Sequence, residues 1–181
     1  MLQTLKRIAD LIDTLSEQTG RVIAWLTLGT VLLTFTVVVL RYGFDSGSIA
    51  MQEAVSYLHA AVFMLAAAYT LKHDGHVRVD IIYRKLSPHG QAWVNLSGTV
   101  LLLLPVCIFI LTSSWDYVAA SWSLREGSQE AGGLDAVFLL KTAIPLMAVL
   151  LLLQGIANGL HSLLLLLGME QAATDGLDRE L

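Results

Sequence analysis

Four apolar stretches, Val22–Leu40, Ala54–Leu71, Val94–Thr112 and Ala143–Leu167, hold no Asp, Glu, Lys or Arg. Each is near the ~20 residues that a helix needs to cross a hydrocarbon core of about 30 Å. In lipid every backbone N–H and C=O must be satisfied within the protein, which leaves only helices and closed barrels. Barrel strands alternate apolar and polar residues, and these uninterrupted runs do not. The sequence therefore predicts an all-α integral membrane protein with four transmembrane helices.

The rest of the chain is small. Of 181 residues, 55% are hydrophobic and 14% are charged, against ~25% charged in soluble domains. A separate soluble domain is not expected. The one cysteine, Cys107, lies inside the third run, so no intrachain disulfide can form and thiol-oxidising chemistry that needs a pair is excluded. Basic residues do not cluster with aromatics, so no nucleic-acid surface is read. The first run is 19 residues long, beyond a signal-peptide core of ~7–15, and no A-x-A-like site follows. It is read as a retained helix.

Orientation follows from the basic residues flanking the spans. Lys6, Arg7, Arg21, Lys72, Arg78, Arg84, Lys85 and Arg179 fall on one side; Arg41, Arg125 and Lys141 fall on the other. Both termini are expected in the cytoplasm. Trp115, Tyr117 and Trp122 mark the outer interface of the third helix.

Three domain-level divisions are expected. Residues 1–20 form an amphipathic arm, with Leu5, Ile8, Ile12 and Leu15 on one face lying in the interface and Lys6, Arg7, Asp10, Asp13 and Glu17 on the rest of its surface. Thr19-Gly20 is expected to turn the chain into the membrane domain, 21–168. Residues 169–181 form a disordered polar tail. The second helix is expected from Ile49. In the inner loop, Ile81–Leu86 reads as a short interfacial helix with Asp80 capping its start and Ser87-Pro88-His89-Gly90 ending it. The third helix is expected from Gln91 to Leu124, kinked at Pro105 by the lost backbone bond. The fourth is expected from Ala136.

Polar groups at membrane depth are the candidate functional residues. Gln154, Asn158 and His161 share a face, beside a Gly155-x-x-x-Gly159 pattern; Thr27, Thr30, Thr34 and Arg41 share another. One reading is a polar pathway. The other is hydrogen bonding and close packing between helices. His59 and His161 suggest a haem pair, but their expected depths differ. A stand-alone carrier would need paired broken helices and a coupling acid at midplane, and no acid lies there. Arg41 and Glu53, at the two ends of the first outer loop, are expected to pair. No catalytic, metal-binding or cofactor-binding residue is singled out.

Several pieces in order resemble the small membrane subunit (Q subunit) of tripartite ATP-independent periplasmic (TRAP) transporters. They are the amphipathic arm, Arg41-Tyr42-Gly43-Phe44, Met51-Gln52-Glu53-Ala54, His76-Val77-Arg78-Val79-Asp80 and Lys141-Thr142-Ala143-Ile144-Pro145-Leu146. The resemblance covers residues 5–168. It departs before Glu53, where Ile49, Ala50 and Met51 stand in place of a tryptophan. It implies a non-enzymatic scaffold for a large multi-span permease, with a periplasmic substrate-binding protein as third component and sodium-driven import of an organic acid anion in the bacterial inner membrane. Arg41, Glu53, His76 and Asp80 would then be structural joints.

Overall fold

The computed structural model describes residues 2–77 and 80–168, and among them every regular element is helical. Helix α1 runs unbroken over Leu2–Gly43. The separate arm expected to turn at Thr19-Gly20 is thus continuous with the first span. Forty-two residues at 1.5 Å each make a rod of about 63 Å, twice a hydrocarbon core.

Helix α2 (Ile49–Leu65) starts where expected, with the Ser48 hydroxyl accepting from the Met51 amide at 3.4 Å. A break at Ala66 leads into α3 (Ala67–Lys72). The loop after α3 carries one turn, α4 (Asp80–Tyr83); Arg78, Val79 and the tail from 169 lie outside the described residues. Helix α5 (Pro88–Gly98) begins at the segment expected to end a helix. Ser87 is its N-cap, accepting from the Gly90 amide at 3.2 Å, and Pro88 occupies the first turn, where a missing N–H costs nothing.

A π segment, Thr99–Leu103, follows, and then α6 (Leu104–Ser123). Pro105 thereby falls in the first turn of α6. The extra residue in the π turn, with the Leu104 amide donating to Thr99 O, absorbs the mismatch that a proline creates in a straight helix. Where the sequence predicts a kink at Pro105, the structure carries a π bulge one turn upstream. Helix α7 (Val137–Leu166) carries Pro145 within it.

Helix α7 is the hub. It packs against α1, α2, α3, α5 and α6, and α1 packs against α2 and α3. The α5–α6 limb seats on α7 and makes no substantial contact with α1 or α2. The result is an open fan. The most apolar window of each spanning helix is only 6–11% buried within the chain, so the faces that lipid or a partner would cover are turned outward.

Candidate functional site

Small residues set how closely the helices approach. A Cβ on Gly20 would sit 2.2 Å from Tyr69 Cδ2 and 2.8 Å from Tyr69 Cβ. Gly20 therefore serves close contact between α1 and α3, and no turn forms there. On α7, a Cβ on Gly155 would meet Leu103 Cδ2 at 2.7 Å, and one on Gly159 would meet Thr99 Cγ2 at 3.5 Å. The Gly155-x-x-x-Gly159 pattern is the seat of the π segment and α5.

Around these contacts lie polar joints. On the half of the fan that holds the N-terminus, the Gln154 amide donates to Asp13 Oδ1 at 2.8 Å and to Asn158 Oδ1 at 2.9 Å, and His161 Nε2 lies 3.0 Å from Asp13 Oδ2. Gln154 is 0% exposed. One helical turn along α1, Glu17 takes hydrogen bonds from Lys72 (2.8 Å), His73 (2.9 Å) and Arg21 (3.0 Å). Lys72 first, then His73 and Arg21, hold the Glu17 carboxyl at about 2. Asp13 and Glu17 thus tie the N-terminal half of α1 to α7 and α3. The packed face of this half is Ala9, Asp13, Ser16 and Gly20, whereas Ile8, Leu11 and Leu15 point outward. Of the apolar stripe read from the sequence, Ile8 and Leu15 are exposed, and Leu5 and Ile12 are half-buried. The charged residues assigned to the remaining surface include the two that make the joints, a pairing that no local pattern reveals.

The opposite end of the fan is held by Glu53. It accepts from the Ser128 hydroxyl and, at 2.7 Å, from the Leu134 amide, and so closes the loop between α6 and α7. Gly133 is required there, since a Cβ would lie 2.8 Å from Glu53 Oε2. Arg41 is exposed and does not pair with Glu53. In place of the expected Arg41–Glu53 bridge, the Ser128 hydroxyl and the Leu134 amide occupy the Glu53 carboxylate. Beside it, Glu126 binds Lys141, whose ammonium also lies 4.0 Å from the Tyr117 ring centre. The Lys141 hydrogen bond holds the Glu126 carboxyl below its ordinary range. Trp122 donates to Thr142 at 2.8 Å and meets Phe138 edge-on at 4.7 Å. Glu53, Ser56 and Glu130 border two open hollows of about 340 and 320 Å³.

The polar-pathway reading finds little support. Thr30, Thr34 and Thr36 spend their hydroxyls on their own helix, at 2.7–2.8 Å from the carbonyl four residues back. His59 is exposed on α2, while His161 is engaged by Asp13. His76 Nε2 lies 3.3 Å from Ala67 O and folds the inner loop back onto α3. Asp80 begins α4; of its side chain nothing is described.

Comparison with known proteins decides the family. The profile described as "Tripartite ATP-independent periplasmic transporters, DctQ component" matches residues 30–164, most of the chain. The chain belongs to this family. A Haemophilus influenzae (strain ATCC 51907 / DSM 11121 / KW20 / Rd) protein named "Putative TRAP transporter small permease protein" is 37% identical over 84 residues, 46% of this chain and 52% of that protein. The match thus spans about half the length of the curated relative. No solved structure matches.

Membership of a TRAP transporter component family makes this chain part of a transport system, and such a component is not an enzyme class. Four apolar helices make it a multi-pass membrane protein. Within the matched span lie Arg41, Glu53, His76, Asp80, Gln154, Gly155, Asn158 and Gly159. The structure gives joints to Glu53, His76, Gln154, Asn158 and the two glycines, and leaves Arg41 exposed. Asp13 and Glu17, which complete the inner joints, lie before it.

Proposed function

We propose that this TRAP small permease component is the scaffold of a sodium-driven secondary transporter that imports an organic acid anion. It binds and stabilises a large multi-span permease subunit in the bacterial inner membrane, with both termini cytoplasmic. A periplasmic substrate-binding protein delivers the anion to that larger subunit, and membrane lipids cover the remaining surface.

The observation that carries this reading is the open fan. A carrier must enclose its cargo route between helices, with polar groups aimed into it. Here the polar groups join one helix to the next: Gln154 to Asp13, Glu17 to Lys72, Glu53 to the outer loop. The α5–α6 limb hangs on α7, which leaves long apolar faces on both sides for a neighbour. The spanning runs also hold no acidic residue to couple sodium or protons. A rigid set of rods that enlarges a partner's static frame fits all three features.

The test is paired. Co-expressed with a large TRAP permease, the tagged chain is expected to retain it through detergent extraction. Reconstituted alone in vesicles under a sodium gradient, it is expected to accumulate no organic acid. Gradient-driven uptake by the isolated chain overturns the scaffold reading.

A further inference from the structure

The inner loop carries a feature that no scaffold contact explains. Helix α4 is one turn long, yet it is held firmly. The Asn95 amide donates to the Tyr83 hydroxyl at 2.8 Å, and the Gln91 amide donates to Tyr83 O and Leu86 O, both at 3.3 Å. These bonds fix α4 at the level of residues 91–95 of α5. The third apolar run starts at Val94, so α4 is held at the edge of the hydrocarbon, where headgroups begin. From that position it presents Ile81 and Ile82, 75% and 71% exposed. Arg84 and Lys85 follow directly, both exposed.

We infer that Ile81, Ile82, Arg84 and Lys85 form a docking surface for anionic phospholipids of the inner leaflet. Two features point to lipid. Neighbouring isoleucines fixed at the hydrocarbon edge insert among acyl chains, as interfacial helices do. Two cations one turn further on lie at headgroup height, where each basic side chain gains from an anionic surface. The segment from Lys72 to Lys85 holds Lys72, Arg78, Arg84 and Lys85 against Asp74 and Asp80, while Asp116, Glu126, Glu130 and Asp135 lie toward the opposite end, so a negative surface is complementary here and not there. The bonds to Gln91 and Asn95 make the surface preorganised, which lowers the ordering cost of binding. The inference rests on the membrane topology alone and stands whether or not the chain is a scaffold.

The experiment uses the full-length protein in detergent, titrated with short-chain phosphatidylglycerol or phosphatidylcholine, with bound lipid counted by native mass spectrometry. The wild type is expected to prefer phosphatidylglycerol. Replacing both cations (Arg84→Gln with Lys85→Gln) is expected to lower that preference about thirtyfold, as for two surface charges. Each single variant should lower it about fivefold, which serves if the double variant folds poorly. Ile81→Ser with Ile82→Ser should weaken both lipids alike, and Arg125→Gln, at the outer end, should change nothing. Unchanged phosphatidylglycerol binding in the cation variants overturns the inference. So does displacement of the lipid by equimolar inorganic phosphate, which would make this a free-anion site. Loss of a co-purifying permease with lipid retention intact would assign the surface to a protein, and would also overturn it.

Discussion

Replacing Gly20 with alanine tests the packing of α1 more sharply than any other single change. The new methyl would sit 2.2 and 2.3 Å from Tyr69 Cδ2 and Cγ, and 2.8 Å from Tyr69 Cβ. Ordinary carbon contacts lie at about 3.5–4.0 Å, so the gap is short by more than 1 Å. A ring flip cannot relieve this, because Tyr69 Cβ is fixed to the α3 backbone and α3 itself must move. Tyr69 also stacks on His73 at 4.4 Å, and His73 binds Glu17, so the displacement spreads into the inner joint. Overpacking of this kind costs about 1–3 kcal/mol, against which alanine returns up to ~1 kcal/mol of helix propensity. The expected net loss is about 0–2 kcal/mol, and about 1–3 kcal/mol relative to an alanine placed in open space on a helix. Gly98→Ala is the control, since its Cβ meets nothing within 4 Å and should be neutral or stabilising. Thermal unfolding of the detergent-solubilised protein, followed by circular dichroism, reads both. Gly20→Ala as stable as Gly98→Ala would refute the close α1–α3 contact, and would favour the free turn expected from the sequence.

Four further outcomes follow. Asp13→Ala removes the acceptor shared by buried Gln154 and half-buried His161 and should cost about 1–3 kcal/mol, whereas Asp13→Asn keeps an acceptor for Gln154 and should cost less; limited proteolysis near residue 13 checks whether α1 detaches. Glu53→Ala should leave the helices intact but raise hydrogen exchange at the Leu134 amide, and unchanged exchange would discard Glu53 as the loop anchor. Arg41→Gln should leave the isolated chain within about 0.5 kcal/mol of wild type, as an exposed surface change, so any loss of permease co-purification reports on the partner. Glu17 and Glu126 carry depressed pKa values, so the unfolded chain binds more protons than the folded one on the acid side. Their stabilisation should be complete above about pH 4.5, the ordinary glutamate value, and for Glu17 should disappear as pH falls towards 2; an acid titration of the melting temperature with Glu17→Gln alongside checks the sign.

The sequence by itself determined the spans, since helix and lipid compatibility are local properties of uninterrupted apolar runs. It placed the start of α2 at Ile49 and the end of the third helix near Leu124, because Ser48 and the glycines Gly127, Gly132 and Gly133 are local signals. It also picked out Gln154, Asn158 and the Gly155-x-x-x-Gly159 pattern as candidates, because polar and small residues at membrane depth need a reason.

Partner identity was another matter. Glu53 faces Arg41 across a short loop in the sequence, yet it anchors a loop some eighty residues away. Asp13 and Glu17 read as solvent-facing charges on an amphipathic arm, yet they hold α7 and α3. Gly20 reads as a hinge, and it is the point where Tyr69 comes closest. Each of these depends on which helix lies opposite, a fact set by the packing of α7 against all its neighbours. Hydrophobic patterning decides that a segment enters the membrane; shape and hydrogen bonding between segments far apart in the chain decide what it meets there.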